Sequence, residues 1–344
     1  MASPLQRLAY RTAQQLRVSW YSGQKWLSAR LTEGVAAPEE LKARMPDRRR
    51  ILADLDALIE QDWRNIAEGH YRLPEDMLVR PLAALRKTGL YFADLSRVDR
   101  RRRAAGNDEV FRSMRGAPYP RYYLQNFHYQ TDGYLSRRSA ELYDHQVEVL
   151  FGGGADAMRR QALVPLKRVL GARGVRQAHL IDLACGTGRF LREVKSNYPR
   201  LKVTALDLSP FYLDAARRAL APWSATAFVE APAEAVPLAD ASFDVATALF
   251  LFHELPQATR VQVMREMARL LKPGGAAILV DSIQLGDVPD YDPLVEYFPL
   301  AFHEPYYGEY ARADLVAGFA EAGLALEESH IAYFAKVLTF RKPA

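Results

Sequence analysis

Apolar residues follow two different spacings along this chain, and the change falls near residue 179. In the N-terminal part they recur every three or four residues, as between Ile51 and Ile66, which predicts amphipathic helices. From His179 onward, short apolar runs alternate with segments of helical spacing. The predicted strands are LIDLA, VTALDL, TAFVEA, FDVATALFLF and AAILVDS. The chain is therefore predicted to be helical first and α/β afterwards.

The alternation of strands and helices indicates the fold class of the second part. It is typical of a largely parallel sheet that is covered by helices on both faces. Because crossover connections are right-handed, a doubly wound open sheet is the favoured topology. We expect a helical N-terminal domain over residues 1–115, an aromatic-rich lid or linker with a helix over residues 116–178, and an α/β domain over residues 179–344.

Charge is unevenly divided along the chain. The net charge of +5 combines +11 before His179 with −6 from His179 onward. A basic surface alone does not distinguish nucleic acid, lipid and anionic substrates as partners. The chain has a single cysteine, Cys185, early arginines, and no apolar run near the roughly 18 residues of a membrane span. We expect a cytoplasmic protein.

The first predicted strand runs directly into a glycine-containing turn, Asp182-Leu183-Ala184-Cys185-Gly186-Thr187-Gly188. In doubly wound sheets, ligands bind beyond the carboxyl ends of the strands, and glycine allows the backbone to approach them closely. The second predicted strand ends at Asp207, whose carboxylate can accept hydrogen bonds from a ribose. A nicotinamide or flavin site would need a third glycine where Arg189-Phe190-Leu191 stands. A purely structural turn with an unrelated acid is the other alternative.

The pattern D-x-x-x-G-x-G resembles motif I of class I S-adenosylmethionine-dependent methyltransferases. The resemblance covers roughly His179 to Lys342, since Phe228 to Asp244 and the LKPGG of Leu271 to Gly275 match later segments of that family. It implies a seven-stranded Rossmann-like sheet, S-adenosylmethionine as the cofactor, and methyltransferase activity. The cofactor-binding residues that it implies are Asp182, Ala184, Gly186, Gly188, Asp207, Leu208, Ala233, Glu234 and Leu249.

One position departs from the family pattern. Many relatives have an aspartate that accepts a hydrogen bond from the adenine amino group, where this chain has Pro232. Adenine would then be held by the backbone of Ala233 or by Glu234. Cys185 is interpreted as a small buried filler of the turn, because a sulfonium donor needs no covalent enzyme intermediate.

Two histidines are candidates for catalysis. His253 follows the fourth predicted strand and either takes a proton from the methyl acceptor or hydrogen-bonds its own loop. His303 lies in an aromatic insertion between Gly286 and Tyr310 and is either a second polar anchor or an ordinary loop residue. No metal-ligand spacing or G-x-S-x-G motif is present, so no metal site is predicted.

The acceptor is predicted to lie between aromatic segments. The residues assigned to it are Tyr123, Tyr129, Tyr134, Glu254 and Tyr306. The tyrosines of the first segment either wall a pocket or brace a domain junction. The sequence around Leu251 to Glu254 lacks the Asn-Pro-Pro-Tyr of amine-directed nucleic-acid methyltransferases, which disfavours nucleic acid.

The predicted substrate is therefore a small aromatic or lipophilic molecule, since the series of motifs resembles that of quinone-biosynthesis methyltransferases. RNA or protein methylation through the basic N-terminal part is a second hypothesis. A cofactor-binding protein without methyl transfer is a third. The arginine-bearing first helix either packs on the protein or makes a peripheral contact with an anionic membrane.

Overall fold

The computed structural model describes residues 3–75, 77 and 81–344. Within these residues, seven strands form one sheet in the order β3-β2-β1-β4-β5-β7-β6. Strands β1 to β5 pair in parallel with one another, and β7 pairs antiparallel with β5 and β6. The strands are β1 (His179–Leu183), β2 (Lys202–Asp207), β3 (Thr226–Glu230), β4 (Phe243–Leu249), β5 (Leu271–Ser282), β6 (Ala325–Ala332) and β7 (Ala335–Arg341). The predicted doubly wound Rossmann-like sheet is confirmed.

Helices dominate the chain before the sheet and connect its strands afterwards. Those before it are α1 (Pro4–Leu31), α2 (Glu39–Lys42), α3 (Arg48–Ala67), α4 (Pro81–Arg103), α5 (Glu109–Ser113), α6 (Arg137–Leu150), α7 (Ala155–Arg160) and α8 (Leu163–Arg173). Those that follow are α9 (Arg189–Asn197), α10 (Pro210–Leu220), α11 (Gln257–Leu270), α12 (Asp292–Ala301), α13 (Tyr307–Tyr310) and α14 (Leu315–Glu321). Between α5 and α6 lie only short 3₁₀ turns, Arg121–Tyr123 and Phe127–Tyr129.

The family resemblance implies that LKPGG is a turn between a helix and the fifth strand, but the structure places it within the strand. It forms the first residues of β5, and the register with β4 shifts there, from Phe243 opposite Leu271 to Val245 opposite Ala276. Gly274 has a φ of 69°, a left-handed conformation that glycine adopts at low cost. The turn therefore persists as a bulge inside the strand, because the flanking residues still pair with β4.

The N-terminal helices share a hydrophobic core with the sheet. Tyr10 of α1 and Trp63 of α3 belong to the same buried cluster as Leu180 of β1. The Asp62 carboxylate, fully buried, accepts hydrogen bonds from Tyr10, from Tyr71 and, at 2.6 Å, from Arg160 Nη2. Because a buried carboxylate needs such partners, this network fixes α1, α3 and α7 against one another.

Strand β1 lies at the centre of the sheet, paired with β2 on one side and β4 on the other. This is the switch point where successive crossovers run to opposite sides of β1, and ligands of doubly wound sheets bind there. The carboxyl ends of β1, β2 and β4 carry the sequence-predicted residues Asp182, Asp207 and His253. The fold thus gathers them at one edge.

Candidate active site

The turn after β1 has the backbone conformation that a close ligand contact requires. Ala184, Gly186 and Gly188 have φ values of 56°, 58° and 75°. Ala184 adopts this left-handed conformation without being glycine, which is uncommon for a residue with a Cβ. A Cβ on Gly188 would lie 3.1 Å from Ala216 of α10, whereas a Cβ on Gly186 would meet none of the described atoms within 4 Å. Gly188 therefore permits helix packing, and Gly186 faces open space.

Asp207 ties the turn after β1 to the end of β2. Its Oδ2 accepts the Gly186 N–H at 2.8 Å, and its Oδ1 accepts the Ser209 N–H at the same distance. The N–H of Leu208 also faces this carboxylate. Burial raises the pKa of Asp207 to about 6. Since a carboxylate offers about four acceptor positions, ribose hydroxyls can still bind beside the backbone donors.

Asp182 lies on β1 beneath the same turn. Its Oδ1 accepts a 2.6 Å hydrogen bond from Thr247 Oγ1 of β4. Burial raises its pKa to about 7, with Thr247 acting in the opposite direction and Asp207 adding to the rise. Two buried carboxylates thus lie next to one another at the switch point, and a cationic ligand would stabilise the ionised form of both.

The loop after β3 supplies the third side of the cofactor region. Ala233 is buried, and Glu234 Oε1 accepts a 2.6 Å hydrogen bond from Tyr122. Glu234 Oε2 is buried, and no hydrogen-bond donor among the described residues reaches it. This acceptor is available for adenine in place of the side chain that Pro232 lacks. Leu249, also predicted to bind the cofactor, is the last residue of β4 and is half-buried.

An aromatic lid, residues 119–136, crosses the carboxyl edge of the sheet. Tyr123 lies beside Asp207 and Ser209, and burial followed by the charge of Asp207 raises its pKa well above the usual range. Tyr134 accepts a hydrogen bond from Ser209 through its backbone oxygen, and its hydroxyl donates to Glu254 Oε1 at 2.6 Å. Tyr134 therefore spans from the end of β2 to the loop after β4.

His128 of the lid lies between two carboxylates. Its Nδ1 is 2.9 Å from Glu304 Oε1, and its Nε2 is 3.4 Å from Glu254 Oε1. Burial lowers the pKa of His128, but the charges of Glu304 and Glu254 outweigh it, so that the pKa rises to about 10. Burial and the charge of Glu254 raise the pKa of Glu304. We call His128, Glu254 and Glu304 the carboxylate triad.

His253 forms a second pair next to the triad. Its Nδ1 is 2.6 Å from Asp281 Oδ1, at the carboxyl end of β5, and its Nε2 is 3.8 Å from Glu254 Oε1. Asp281 also accepts the N–H groups of Phe252 and Ser282. Burial lowers the pKa of His253, but Asp281 outweighs this effect and the pKa rises to about 9. His253 is therefore protonated near neutral pH and can donate from Nε2.

Three other sequence-predicted residues form a separate group. His303 Nε2 lies 2.7 Å from Gln125 Oε1, and the ring of Tyr129 lies 5.7 Å from the His303 ring. Tyr306 accepts a 2.8 Å hydrogen bond from the same Gln125 side chain. The structure brings Tyr134 and Glu254 together, whereas His303 and Tyr306 both contact Gln125, and Tyr129 contacts the His303 ring.

Sequence reasoning assigned no role to three residues of this site. His128, Asp281 and Glu304 were visible in the sequence as members of the aromatic segment, the fifth strand and the aromatic insertion. A usable signal existed only for Asp281, which ends a predicted parallel strand, where functional side chains concentrate. His128 and Glu304 lie in loops, and no spacing links them.

The strand order, the left-handed turn after β1 and the carboxylate at the end of β2 define a nucleoside-binding α/β protein with the methyltransferase arrangement of strands. Residues 180–275 match a family model described as a methyltransferase domain. A ubiquinone/menaquinone biosynthesis C-methyltransferase UbiE of Methylobacterium nodulans is 32% identical over 196 residues, which are 56% of this chain and 73% of that protein. The chain belongs to the class I S-adenosylmethionine-dependent methyltransferases, and its cofactor is S-adenosylmethionine.

Other relatives match shorter segments. A demethylmenaquinone methyltransferase of Deinococcus radiodurans is 38% identical over 103 residues, 30% of this chain and 42% of that protein. A malonyl-[acyl-carrier protein] O-methyltransferase of Pseudescherichia vulneris is 33% identical over 159 residues, 44% of this chain and 53% of that protein. The chain thus spans only about two fifths of the length of the Deinococcus protein.

The residues present fit S-adenosylmethionine. Gly186 borders open space, Asp207 keeps acceptor positions for a ribose, and Glu234 Oε2 is a buried acceptor without a donor among the described residues. Asp182 and Asp207 also provide negative charge close to the glycine turn, which suits a cofactor that carries a sulfonium and an ammonium group. These residues would hold the cofactor.

We expect the affinity for S-adenosylhomocysteine to fall as the pH decreases through about 6. Asp207 is ionised above its pKa of about 6, and the carboxylate accepts hydrogen bonds from hydroxyls more strongly than the protonated acid. Because the pKa of Asp182 is about 7, the affinity should begin to fall near neutral pH. Calorimetric titrations between pH 8 and pH 5 should show a dissociation constant that rises by up to about tenfold per pH unit below 6.

Asp214→Asn on α10 serves as the matched control, because Asp214 is half-exposed and pairs with Arg217 on the same helix. This variant should keep the wild-type pH profile. A dissociation constant that stays constant from pH 8 to pH 5 in the wild-type protein would contradict the assignment of Asp207.

Proposed function

We propose that the protein transfers the methyl group of S-adenosylmethionine to a small aromatic or lipophilic acceptor. The observation that carries this proposal is the position of Tyr134, which reaches from Ser209, beside the carboxylate of Asp207 that is predicted to bind the ribose, to Glu254 beyond β4. A lid that bridges these two points encloses the cofactor edge and the polar residues together. Enclosure favours an acceptor small enough to lie beneath the lid.

Aromatic rings line the enclosed region, which supports a flat or apolar acceptor. Phe127 stacks on Tyr134 at a centroid distance of 5.3 Å. Phe298 lies 6.4 Å from the His128 ring and 4.9 Å from Tyr307. Aromatic side chains provide large apolar contact faces with defined geometry, as a planar substrate requires. The names of the Deinococcus and Methylobacterium relatives refer to quinone substrates, which is consistent with such an acceptor.

The polar residues of the region can orient the acceptor and manage its proton. S-adenosylmethionine supplies an activated methyl group when it is bound. Although burial raises the pKa of Glu254, its contacts with His128 and the charge of His253 lower it overall, so Glu254 is ionised near neutral pH. Among the described residues, no donor reaches Glu254 Oε2, so this oxygen can accept the proton or hydrogen bond of an acceptor hydroxyl. His253, protonated, can donate to an oxygen of the same acceptor.

Two arginines of the basic N-terminal part are held in buried ion pairs, which removes them from any RNA-binding surface. Arg17 is buried and pairs with Glu148 at 2.6 Å, and Arg160 is buried and pairs with Asp62. These guanidinium groups hold the N-terminal helices to one another and are not available to phosphates. Their contribution to the charge of the sequence is therefore structural.

We expect S-adenosylhomocysteine to form when the protein is incubated with isotope-labelled S-adenosylmethionine and a small-molecule extract rich in quinols. Mass spectrometry should show the label in a small aromatic product. Glu254→Gln should lower kcat by at least about 100-fold, the usual loss when a proton acceptor is removed, with a small change in S-adenosylhomocysteine affinity. Asp290→Asn, an exposed carboxylate paired with Arg50, is the control and should keep wild-type turnover. Turnover that requires RNA or protein, or product formation that Glu254→Gln leaves unchanged, would contradict the proposal.

We also propose that α1 contacts an anionic membrane. Its inner face packs on the protein through Tyr10 and Tyr21, but its outer face exposes leucines and a tryptophan, namely Leu5, Leu8, Leu16, Trp26, Leu27 and Leu31. Arg30 lies 4.2 Å above the Trp26 ring. None of the helices in the described part of the chain combines the length and apolar character needed to cross a bilayer. An apolar face flanked by arginines is typical of a helix that lies in the membrane interface.

Vesicle sedimentation tests this contact. We expect the protein to sediment with vesicles that contain phosphatidylglycerol, and the Leu8→Glu/Leu16→Glu variant to stay in the supernatant, because both leucines are more than half exposed. The control variant Arg64→Glu on α3 changes the charge by a comparable amount away from this face. Sedimentation of the double variant to the wild-type extent would exclude α1 as the contact.

A further inference from the structure

We propose that His128, Glu254 and Glu304 form a binding site for a divalent metal cation between the lid and the acceptor region. The three residues come from three separate segments: the lid, the loop after β4, and the loop between α12 and α13. Each can present one ligand atom such that all three atoms lie within 4.8 Å of one another. Imidazole and carboxylate are established ligands of divalent transition metals.

The three side chains lie close enough for one cation to reach them after they rotate, since one ligand atom of each lies within 4.8 Å of the others. His128 Nδ1 lies 2.9 Å from Glu304 Oε1, and His128 Nε2 lies 3.4 Å from Glu254 Oε1. Ligand atoms bound at about 2.1 Å to one metal lie roughly 3.0 to 3.5 Å apart in octahedral or tetrahedral geometry. Modest side-chain rotations would direct one ring nitrogen and one oxygen of each carboxylate to a common centre.

The carboxylates of the triad retain unused acceptor atoms. Glu304 is 2% exposed, and no hydrogen-bond donor in the described part of the chain reaches its Oε2. Its Oε1 contacts His128 Nδ1 at 2.9 Å. Glu254 Oε2 also lacks a donor among the described residues. Buried polar atoms without partners are rare, and a bound cation is one group that supplies the missing interaction.

The charge of the triad also favours a bound cation. Two carboxylates lie against one imidazole, whereas the neighbouring pair of His253 and Asp281 is balanced within itself. A divalent cation with a neutral imidazole would balance both carboxylates at once.

The backbone at His128 has a strained conformation, which indicates that the surrounding contacts hold this side chain in place. His128 and Tyr129 have φ values of 53° and 57°, consecutive left-handed residues with side chains. Such conformations persist only where the surrounding contacts enforce them, and they concentrate at functional sites. Here the backbone N–H of His128 donates to the carbonyl oxygen of His303, one residue before Glu304, which brings the two ligand-bearing segments together.

Three protein ligands leave coordination positions open, as in catalytic metal sites. If the proposed function holds, these positions would bind an oxygen substituent of the acceptor and orient it towards the cofactor edge. The class of acceptor that this favours is an aromatic molecule with adjacent oxygen substituents. The cation site itself depends only on the triad.

The test measures cation binding directly, without cofactor or acceptor. Protein treated with EDTA and dialysed is titrated with MnCl₂, with calorimetry and the loss of the free Mn²⁺ EPR signal as readouts. We expect one Mn²⁺ per chain in the wild-type protein. His128→Asn, which keeps a residue that tolerates the left-handed conformation, and Glu304→Gln should each weaken Mn²⁺ binding by at least about tenfold.

Glu309→Gln is the charge-matched control, because Glu309 lies close in sequence to Glu304 but is 60% exposed and outside the triad. It should bind Mn²⁺ as the wild-type protein does. S-adenosylhomocysteine titrations establish that each variant keeps its folded cofactor region. No saturable Mn²⁺ binding, or binding that both triad variants retain, would overturn the metal site. A protein that binds Mn²⁺ but methylates no small molecule would refute the proposed function and leave the metal site standing.

Discussion

The burial of several carboxylates at one edge of the sheet is the constraint on which the rest of this structure depends. Removing an ionised carboxylate from water is costly unless donors or cations compensate it. Asp207 is compensated by backbone N–H groups of two adjoining turns, and Asp281 by backbone N–H groups and His253. Glu254 depends on Tyr134 and His128 of the lid. The lid conformation therefore follows from where these acids need partners.

This arrangement links the cofactor region to the acceptor region. Tyr134 contacts Ser209 at one end and Glu254 at the other, so a displacement of the lid changes the surroundings of both. Tyr122 adds a third connection, to Glu234 after β3. Cofactor entry and acceptor enclosure are thus expected to be coupled through one segment. That coupling would exclude water from the reacting groups once the lid is in place.

The parts of the site that were predictable from the sequence are those encoded locally. The glycine turn and Asp207 follow directly from strands whose apolar runs are visible in the sequence, and topology then places their carboxyl ends together. His253 and Glu254 were placed correctly after β4 for the same reason. The resemblance to a known family added the identity of the cofactor, which the spacing alone did not determine.

The remaining parts depend on contacts between distant segments. His128 contacts Glu254 and Glu304 only because the lid folds back over the sheet. No periodicity in the sequence predicts the conformation of the lid. The pKa of His253 also depends on Asp281, which belongs to another strand, so its protonation could not be derived from its own loop. The roles assigned to His303, Tyr129 and Tyr306 stay predictions, and the structure adds that His303 and Tyr306 share Gln125 as a hydrogen-bond partner.

The most direct test of the account is a calorimetric comparison of S-adenosylhomocysteine binding to the wild-type protein and to Asp207→Asn at pH 8. A hydrogen bond to a charged group contributes about 1.5–3 kcal/mol to the free energy of binding. Loss of the charge on Asp207 should therefore lower the affinity about tenfold or more. The account predicts one site per chain in the wild-type protein and a dissociation constant at least about tenfold higher in the variant. Absence of binding by the folded wild-type protein, or equal affinity of the two proteins, would contradict it.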